Sequence, residues 1–311
     1  MGQILAIDIG GTQIRAALFE RDTLKPVRVE RTRTEASKPG VYERLEALVA
    51  SIWPTDAQVD AIGIASPGPL DPHKGVILAT PNIKEWQNFP LTAKLQARFN
   101  VPVVLDNDAN LACLGEWKFG AGQGHQDVLY LTISTGIGGG VVSNGRLVQG
   151  YHGLAAELGH TTVWPDGPLC GCGKRGHIEA IASGTAIARY AREQIREAAR
   201  PSSLAALEII TSRDVSNAAA QGDLLAIETL ARAGRYLGIA VANFLAAFDP
   251  SIVIFGGGAS NSGAPLFEPF HASLREHIFN PTYLDNLEFA RAALGDDAGL
   301  LGAQALAVSN T

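Results

Sequence analysis

The chain is poor in several residue types, and each scarcity closes off a class of protein. Of 311 residues only three are cysteines, Cys113, Cys170 and Cys172, and two of these share one Cys-x-Cys. So few thiols cannot build a disulfide framework, which leads us to expect a reducing, cytoplasmic setting. Charged residues make up 18%, the formal net charge is −6 and there is no basic run, so nucleic acid is not an expected partner. The longest apolar run, Leu237 to Phe248, is too short to span a bilayer and is expected as a buried helix, so no membrane association is expected. The first strand is expected to begin at Ile4, which leaves no room for a signal peptide, and Ala6 spoils a myristoylation signal at Met1-Gly2.

Glycine, by contrast, is abundant at 34 residues, and apolar residues reach 46%. At this length and composition the chain can bury a large core and fill two domains. The glycines concentrate in two look-alike segments, Ile4 to Thr12 and Leu129 to Gly140. Each is an apolar strand that breaks into glycine and then resumes as a strand, through Gln13 to Phe19 in the first and Val141 to Val148 in the second, where Asn144-Gly145 is a hairpin turn signal. Both are therefore expected to be hairpin tips. A dinucleotide fingerprint and a P-loop each need a helix opening at the glycines, so both are excluded. Two such tips suggest a duplicated α/β unit with a cleft between the copies. Glycine permits positive φ and close backbone approach, so exposed N–H groups at such tips can cradle phosphate oxygens. A lone Gly-Gly-Thr would more simply be a tight turn, but two copies, one with Asp8 just ahead and one with Ser134-Thr135 alongside, favour nucleotide phosphates.

Elsewhere strands and helices alternate. Three strand-like runs are expected within 1–35, a helix over 40–52, a strand from Val59 to Ala65, and a long loop from Ser66 to Pro90 containing Asn82 and Trp86. A helix from Leu91 to Phe99, a strand from Val101 to Leu105 and a helix after Asp106 follow. Beyond a glycine-rich stretch at 150–177 come helices near 184–199, 214–221 and 223–248. The strand Ser251 to Phe255 then runs into Gly256-Gly257-Gly258, a third turn with exposed backbone, and a helix from Ala298 to Val308 closes the chain.

Asp106-Asn107-Asp108-Ala-Asn110 is the candidate for chemistry, because acids and amides at a strand's carboxyl end lie where α/β sheets place their ligands. Transfer of a phosphoryl group to an alcohol needs a carboxylate to accept the hydroxyl proton and groups to orient the acceptor. Asp108 and Asn107 could supply both. The plainer alternative is a helix N-cap, a task that suits Asp106 or Asn107. A second cluster runs from Glu157-Leu-Gly-His160 through Cys170-Gly-Cys172 to His177-Ile-Glu179. Two thiols and two imidazoles within eighteen positions could ligate a structural Zn²⁺ through His160, Cys170, Cys172 and His177. The alternative is a surface loop in which they merely pack. Such a site would hold Glu157 and Glu179, whose carboxylates could each grip vicinal hydroxyls, while His160 could present its second ring nitrogen to substrate.

These parts together resemble the ROK family (repressors, open reading frames and sugar kinases), most closely its glucokinases, over essentially the whole chain. The resemblance is carried by Asp8 to Thr12, Ser66 to Asp71, Pro81-Asn82, Asn107 to Asn110, Thr132 to Gly140, Glu157 to His160, the cysteine loop and Gly256 to Gly258. It implies an α/β fold of the two-lobed actin-like, ribonuclease H-like ATPase type that closes over sugar and ATP. The last helix would return to a smaller N-terminal lobe of 1–115 plus 298–311, and 116–297 would form a larger lobe. It implies ATP-dependent phosphorylation of the 6-hydroxyl of glucose, with Asp108 as base and Asp8 near Mg²⁺. Gly10, Gly11, Thr12, Thr135, Gly136 and Gly138 would contact phosphates, and Gly257 and Gly258 would lie by the nucleoside. Gly68, Asn82, Asn107, Asp108, Glu157, His160 and Glu179 would bind the sugar.

His177 stands where relatives of this type commonly carry a third zinc-loop cysteine, so a zinc site here would be Cys₂His₂. N-acetylmannosamine or N-acetylglucosamine kinase is the alternative activity within the family. A sugar-responsive transcriptional regulator is a more distant one, since a helix-turn-helix domain has no room before Ile4. Family habit and the apolar helices of the second half favour a homodimer or higher homo-oligomer, and some relatives use polyphosphate in place of ATP.

Overall fold

A computed structural model of the chain describes residues 2–21, 23–34, 40–80, 83–197 and 201–311. The first strand, β1 (Gln3–Ile9), is apolar without alternation because it is covered on both faces. Next to it β2 (Gln13–Glu20) pairs antiparallel, and β3 (Arg28–Arg33) pairs antiparallel with β2 at the edge. On the other side β4 (Val59–Ser66) pairs parallel with β1, completing the order β3-β2-β1-β4-β7 once β7 (Val103–Asn107) joins in parallel. Between them, β5 (Leu70–Asp71) and β6 (Val76–Ile77) make a two-stranded ribbon inside what the sequence suggests is only loop. Trp86, nearly inaccessible, stacks on Phe89 at 4.9 Å and joins the core.

Helices cover both faces of this sheet. Leu45, Val49 and Ile52 of α1 (Val41–Ile52) and Leu91 and Leu95 of α2 (Leu91–Phe99) pack with Ile7, Ile62 and Ile64 on one side. On the other side, α3 (Asp108–Phe119) packs with the last helix, numbered α9 in chain order (Ala298–Ser309), over Ala6, Ala17 and Ala65. Small residues set the closeness of that layer. A Cβ on Gly302 would lie 1.7 Å from the Leu111 carbonyl oxygen, and one on Gly63 1.9 Å from that of Ala303.

The second sheet repeats the plan in the order β10-β9-β8-β11-β12, with β8 (Val128–Ile133), β9 (Ile137–Ser143), β10 (Arg146–Leu147), β11 (Ile252–Gly256) and β12 (Glu288–Arg291). As in the first sheet, two further strands add in parallel: β11 to β8 and β12 to β11. Asn144 and Gly145 both have positive φ, 50° and 68°, as the expected two-residue turn requires. The remaining helices are α4 (Glu179–Ala182), α5 (Gly184–Glu197), α6 (Ser212–Ala220), α7 (Leu224–Phe248) and α8 (Ala264–His277). The expected helices near 184–199, 214–221 and 223–248 correspond to α5, α6 and α7, while α8 carries no clear sequence signal. It contains Pro265 in its first turn and Pro269 in its interior, which mask its pattern. Gly234 and Gly238 of α7 let it approach: added Cβ atoms would lie 2.1 Å from the Leu266 and 2.6 Å from the Phe270 carbonyl oxygen.

The chain groups into two compact units. One comprises residues 1–125, 140–156 and 293–311, and the other 126–139 and 157–292. The sequence reading draws its divisions at 115/116 and 297/298; in the structure α3 runs on to Phe119 and the segment 140–156 groups with the first unit. The strand expected over 101–105 instead runs from Val103 to Asn107, because Asp106 and Asn107 still pair with Ala65 and Ser66 of β4. Among the described residues no helix is long and apolar enough to cross a membrane.

Candidate active site

In the first unit, the β1–β2 hairpin carries the expected tip. Gly10 N–H donates to the Gln13 carbonyl at 2.9 Å. Thr34 braces the tip from behind, its hydroxyl donating to the Gly10 carbonyl at 2.6 Å and its N–H to that of Thr12 at 2.9 Å. Thr12 is exposed and Gly11 half-buried. Asp8 lies two residues before the tip, directly across from Arg15 in the strand register. Arg15 Nη2 donates to Asp8 Oδ2 at 2.7 Å and Nη1 to Asp297 Oδ1 at 3.0 Å, and Nη2 also reaches the Asp296 carbonyl. Burial raises the Asp8 carboxyl above its ordinary range, against the pull of the Arg15 guanidinium. Arg15 escapes a motif search, but a cation among the apolar residues of β2, on the register of an acid, is a readable signal.

The Asn107-Asp108 pair sits where β7 ends and α3 begins. Asn107 is the N-cap, its Oδ1 accepting from Ala109 N–H at 2.9 Å and Asn110 N–H at 3.3 Å. Asp108, the first helical residue, is exposed, and its Oδ1 accepts from Ala109 N–H at 2.8 Å. Asp106 faces inward instead, wholly buried, and takes hydrogen bonds from Asn107 N–H, Asn110 and Gln149. Gly68 lies half-buried in the loop after β4, and Asn82 falls outside the described residues.

In the second unit, the β8–β9 tip is stitched to the helix starts behind it. Ser134 N–H donates to the Gly136 carbonyl at 2.9 Å, Gly184 N–H to the Ser134 carbonyl at 2.7 Å, and the Thr185 hydroxyl to the Thr135 carbonyl at 2.7 Å. Glu179 lies against the same tip. Its Oε2 accepts from Ile137 N–H at 3.1 Å, and an added Cβ on Gly136 would lie only 2.4 Å from that oxygen. Thr135, Gly136, Cys170, Glu179, Thr185 and Arg189 are among the residues lining a cavity of about 320 Å³. Thr185 and Arg189 carry no signal of their own in the sequence. Gly138 lies within β9, two residues past the tip. At the end of β11, Gly257 has φ 80° and no room for a Cβ, which would lie 2.4 Å from the Ile133 carbonyl, while Gly258 opens a short 3₁₀ turn with open space around it.

The Cys/His residues converge as the spacing suggests. His160, Cys170, Cys172 and His177 each offer one ligand atom, all within 4.8 Å of one another. Cys170 Sγ lies 3.6 Å from His160 Nδ1, and Cys172 Sγ 3.3 Å from His177 Nδ1. Two sulfurs and two imidazole nitrogens so placed form a donor set of the tetrahedral kind. Burial pushes the Cys170 thiol up to about 11, and its Sγ also lies 3.4 Å from Glu179 Oε1. With Nδ1 facing Cys170, the other nitrogen of His160, Nε2, lies 4.0 Å from Glu157 Oε2. Burial raises the Glu157 carboxyl, opposed by His160. Glu179 thus has one oxygen on the hairpin tip and the other beside a thiol.

A family model described as the ROK family matches residues 4–310. A glucokinase of Thermotoga maritima is 39% identical over 310 residues, covering 98% of this chain and 96% of the relative. An N-acetylmannosamine kinase of Shigella flexneri is 35% identical, with 98% of each chain covered. Among solved structures, a ROK family glucokinase from Streptomyces griseus in complex with glucose and AMPPNP is 36% identical, covers 99% of this chain and 100% of its own, and superposes with a TM-score of 0.81. The paired α/β sheets are those of the actin-like ATPase fold these kinases adopt.

Proposed function

Because this chain belongs to the ROK family, we propose that it transfers the γ-phosphoryl group of ATP to the 6-hydroxyl of glucose, giving glucose 6-phosphate and ADP. The observation that carries this reading is the exposed Asp108 carboxylate, held at the start of α3 beside the capping Asn107. As the sugar's O6 attacks the γ-phosphorus, Asp108 accepts the hydroxyl proton, the P–O bond to ADP breaks, and the leaving oxygen keeps its electron pair. Asn107, with Gly68, Asn82, Glu157, His160 and Glu179, binds the sugar.

The N–H groups at Gly10, Gly11 and Thr12, and at Thr135, Gly136 and Gly138, hold phosphate oxygens, and Gly257 and Gly258 lie by the nucleoside. Asp8 would serve Mg²⁺, which when bound with the nucleotide would supply charge neutralisation for the transferred phosphoryl group. His160, Cys170, Cys172 and His177 would hold a structural Zn²⁺, a role supported by their four ligand atoms lying within 4.8 Å of one another. Bound there, it would take no part in the reaction, and the four ligands would fix the loop that presents His160 Nε2 and Glu157.

The test is a coupled ADP-release assay across glucose, mannose, fructose, N-acetylglucosamine and N-acetylmannosamine. A clear preference for glucose is expected. The 35% identity to an N-acetylmannosamine kinase keeps one alternative in view, and preference for that sugar would replace glucose as the substrate. No turnover on any of the five would end the sugar-kinase reading.

A further inference from the structure

Asp106 is a buried carboxyl that the reaction above does not use. Its side chain is fully inaccessible, and all its donors are neutral amides. Oδ1 accepts from Asn107 N–H at 2.7 Å and Asn110 Nδ2 at 3.0 Å, and Oδ2 from Gln149 Nε2 at 2.5 Å. Burial raises its pKa, opposed by these same hydrogen bonds. An apolar side chain on β7 would avoid the desolvation cost of a buried carboxyl, so stability alone does not account for the choice.

The two oxygens reach different parts of the unit. Through Oδ1, Asp106 holds the cap residue Asn107 and the first-turn residue Asn110, on either side of Asp108. Through Oδ2 it holds Gln149, the first residue of a loop that closes on itself by Ala155 N–H to the Gln149 carbonyl at 3.1 Å and Gly153 N–H to the Gly150 carbonyl at 3.3 Å. That loop packs on the β5–β6 ribbon, where a Cβ on Gly153 would lie 2.0 Å from Pro72, and His73 Nε2 lies 3.4 Å from the Gly150 carbonyl. It ends at Ala156, after which the chain continues into Glu157.

We propose that Asp106 is a positioning residue whose side chain, through its hydrogen bonds to Gln149 and Asn110, fixes the loop 149–156 and the Asn107-Asp108 strand end as a single rigid piece. This rests on the proposed role of Asp108. A proton acceptor that drifts by a fraction of an ångström loses its alignment with the attacking oxygen. The bridge therefore governs turnover more than it governs affinity for ATP.

A set of variants exchanges the hydrogen-bonding roles. In Gln149→Leu the donor is lost, and in Gln149→Glu two carboxylates face each other. In Asp106→Asn a flipped Gln149 amide can still accept from the new side chain. Asp106→Asn combined with Gln149→Glu restores a donor against an acceptor with the partners reversed. Each protein is assayed at 25 °C after circular dichroism confirms that it is folded, and kcat and KM for ATP are compared. Both single Gln149 variants are expected to lose on the order of ten- to a hundredfold in kcat with KM for ATP nearly unchanged. Asp106→Asn and the double variant should stay within about threefold of wild type.

Folded Gln149 variants with wild-type kcat, or a double variant no better than Gln149→Glu alone, would overturn the proposal. Should Gln149→Glu fail to fold, Gln149→Leu against Asp106→Asn decides the same question. A wild-type protein that phosphorylates no sugar would remove the function itself, an outcome distinct from an active wild type whose variants match it.

Discussion

Asn107 and Asp108 are neighbours in the chain with opposite orientations. Asn107 turns its Oδ1 back onto two helix N–H groups, whereas Asp108 is exposed with one carboxylate oxygen on Ala109 N–H. Replacing Asp108 by Asn keeps that acceptor and the shape while removing the proton-accepting charge. The variant is expected to fold normally and bind glucose, as calorimetry would show, yet lose about 10²–10⁴ in kcat. Wild-type turnover would take the base role away from it. Ala156 offers a test of a different sort, since it has φ 64°, a region where a Cβ is strained. Ala156→Gly should relieve that strain and raise unfolding stability by roughly 0.5–1 kcal/mol, read from denaturant midpoints. An unchanged or lower midpoint would mean the loop holds no such strain. The residue types at the strand end were legible from sequence, since acids and amides there serve either caps or chemistry. Which of Asp106 and Asn107 caps was not, because each suits the position and only the inward turn of Asp106 toward Gln149 separates them.

At the scale of elements, the two glycine hairpins and most helices follow from local patterning, because strand runs and turn dipeptides announce themselves without knowledge of the fold. The helix Ala264–His277 does not, since its two prolines break the local signal and tertiary packing against Gly234 and Gly238 supports it instead. Nor does the bond between the second hairpin and Glu179, which joins residues far apart in the chain. That bond makes Gly136 sensitive in a way its flexibility alone does not, because φ there is not positive and the obstacle is Glu179 Oε2 at 2.4 Å. Gly136→Ala should displace Glu179 or the tip and weaken the Ile137 hydrogen bond. The expected outcome is a rise of at least several-fold in KM for ATP, with KM for glucose affected through Glu179, costing on the order of 1–2 kcal/mol in kcat/KM. Unchanged kinetics in both substrates would show that the carboxylate shifts harmlessly and that the tip's shape is not critical.

For the whole molecule, the division into two units depends on contacts that sequence periodicity does not encode. The segment 140–156 belongs with the first unit because long-range contacts such as Gln149 to Asp106 and Gly153 to Pro72 hold it there, while the residues on either side group with the second. The second unit instead contains a loop from Glu157 to His177 that is rich in glycine and short of apolar anchors. Four convergent ligand atoms offer what the loop lacks in hydrophobic burial. A bound Zn²⁺ present at a hundred times its dissociation constant would add about 2.7 kcal/mol to stability by linkage. For a unit of this size that corresponds to roughly 5–10 °C in melting temperature. Metal analysis of purified protein is therefore expected to find about one zinc per chain. Chelation should lower the melting temperature by that order and reduce turnover as His160 and Glu157 lose their support, and Cys172→Ala should mimic both effects. Protein that carries no zinc, and whose melting and turnover are indifferent to chelator, would show that the four residues merely pack and that hydrogen bonds such as Val163 N–H to the Gly176 carbonyl, Ile178 N–H to that of Thr161 and Cys170 N–H to that of Lys174 hold the loop without a metal.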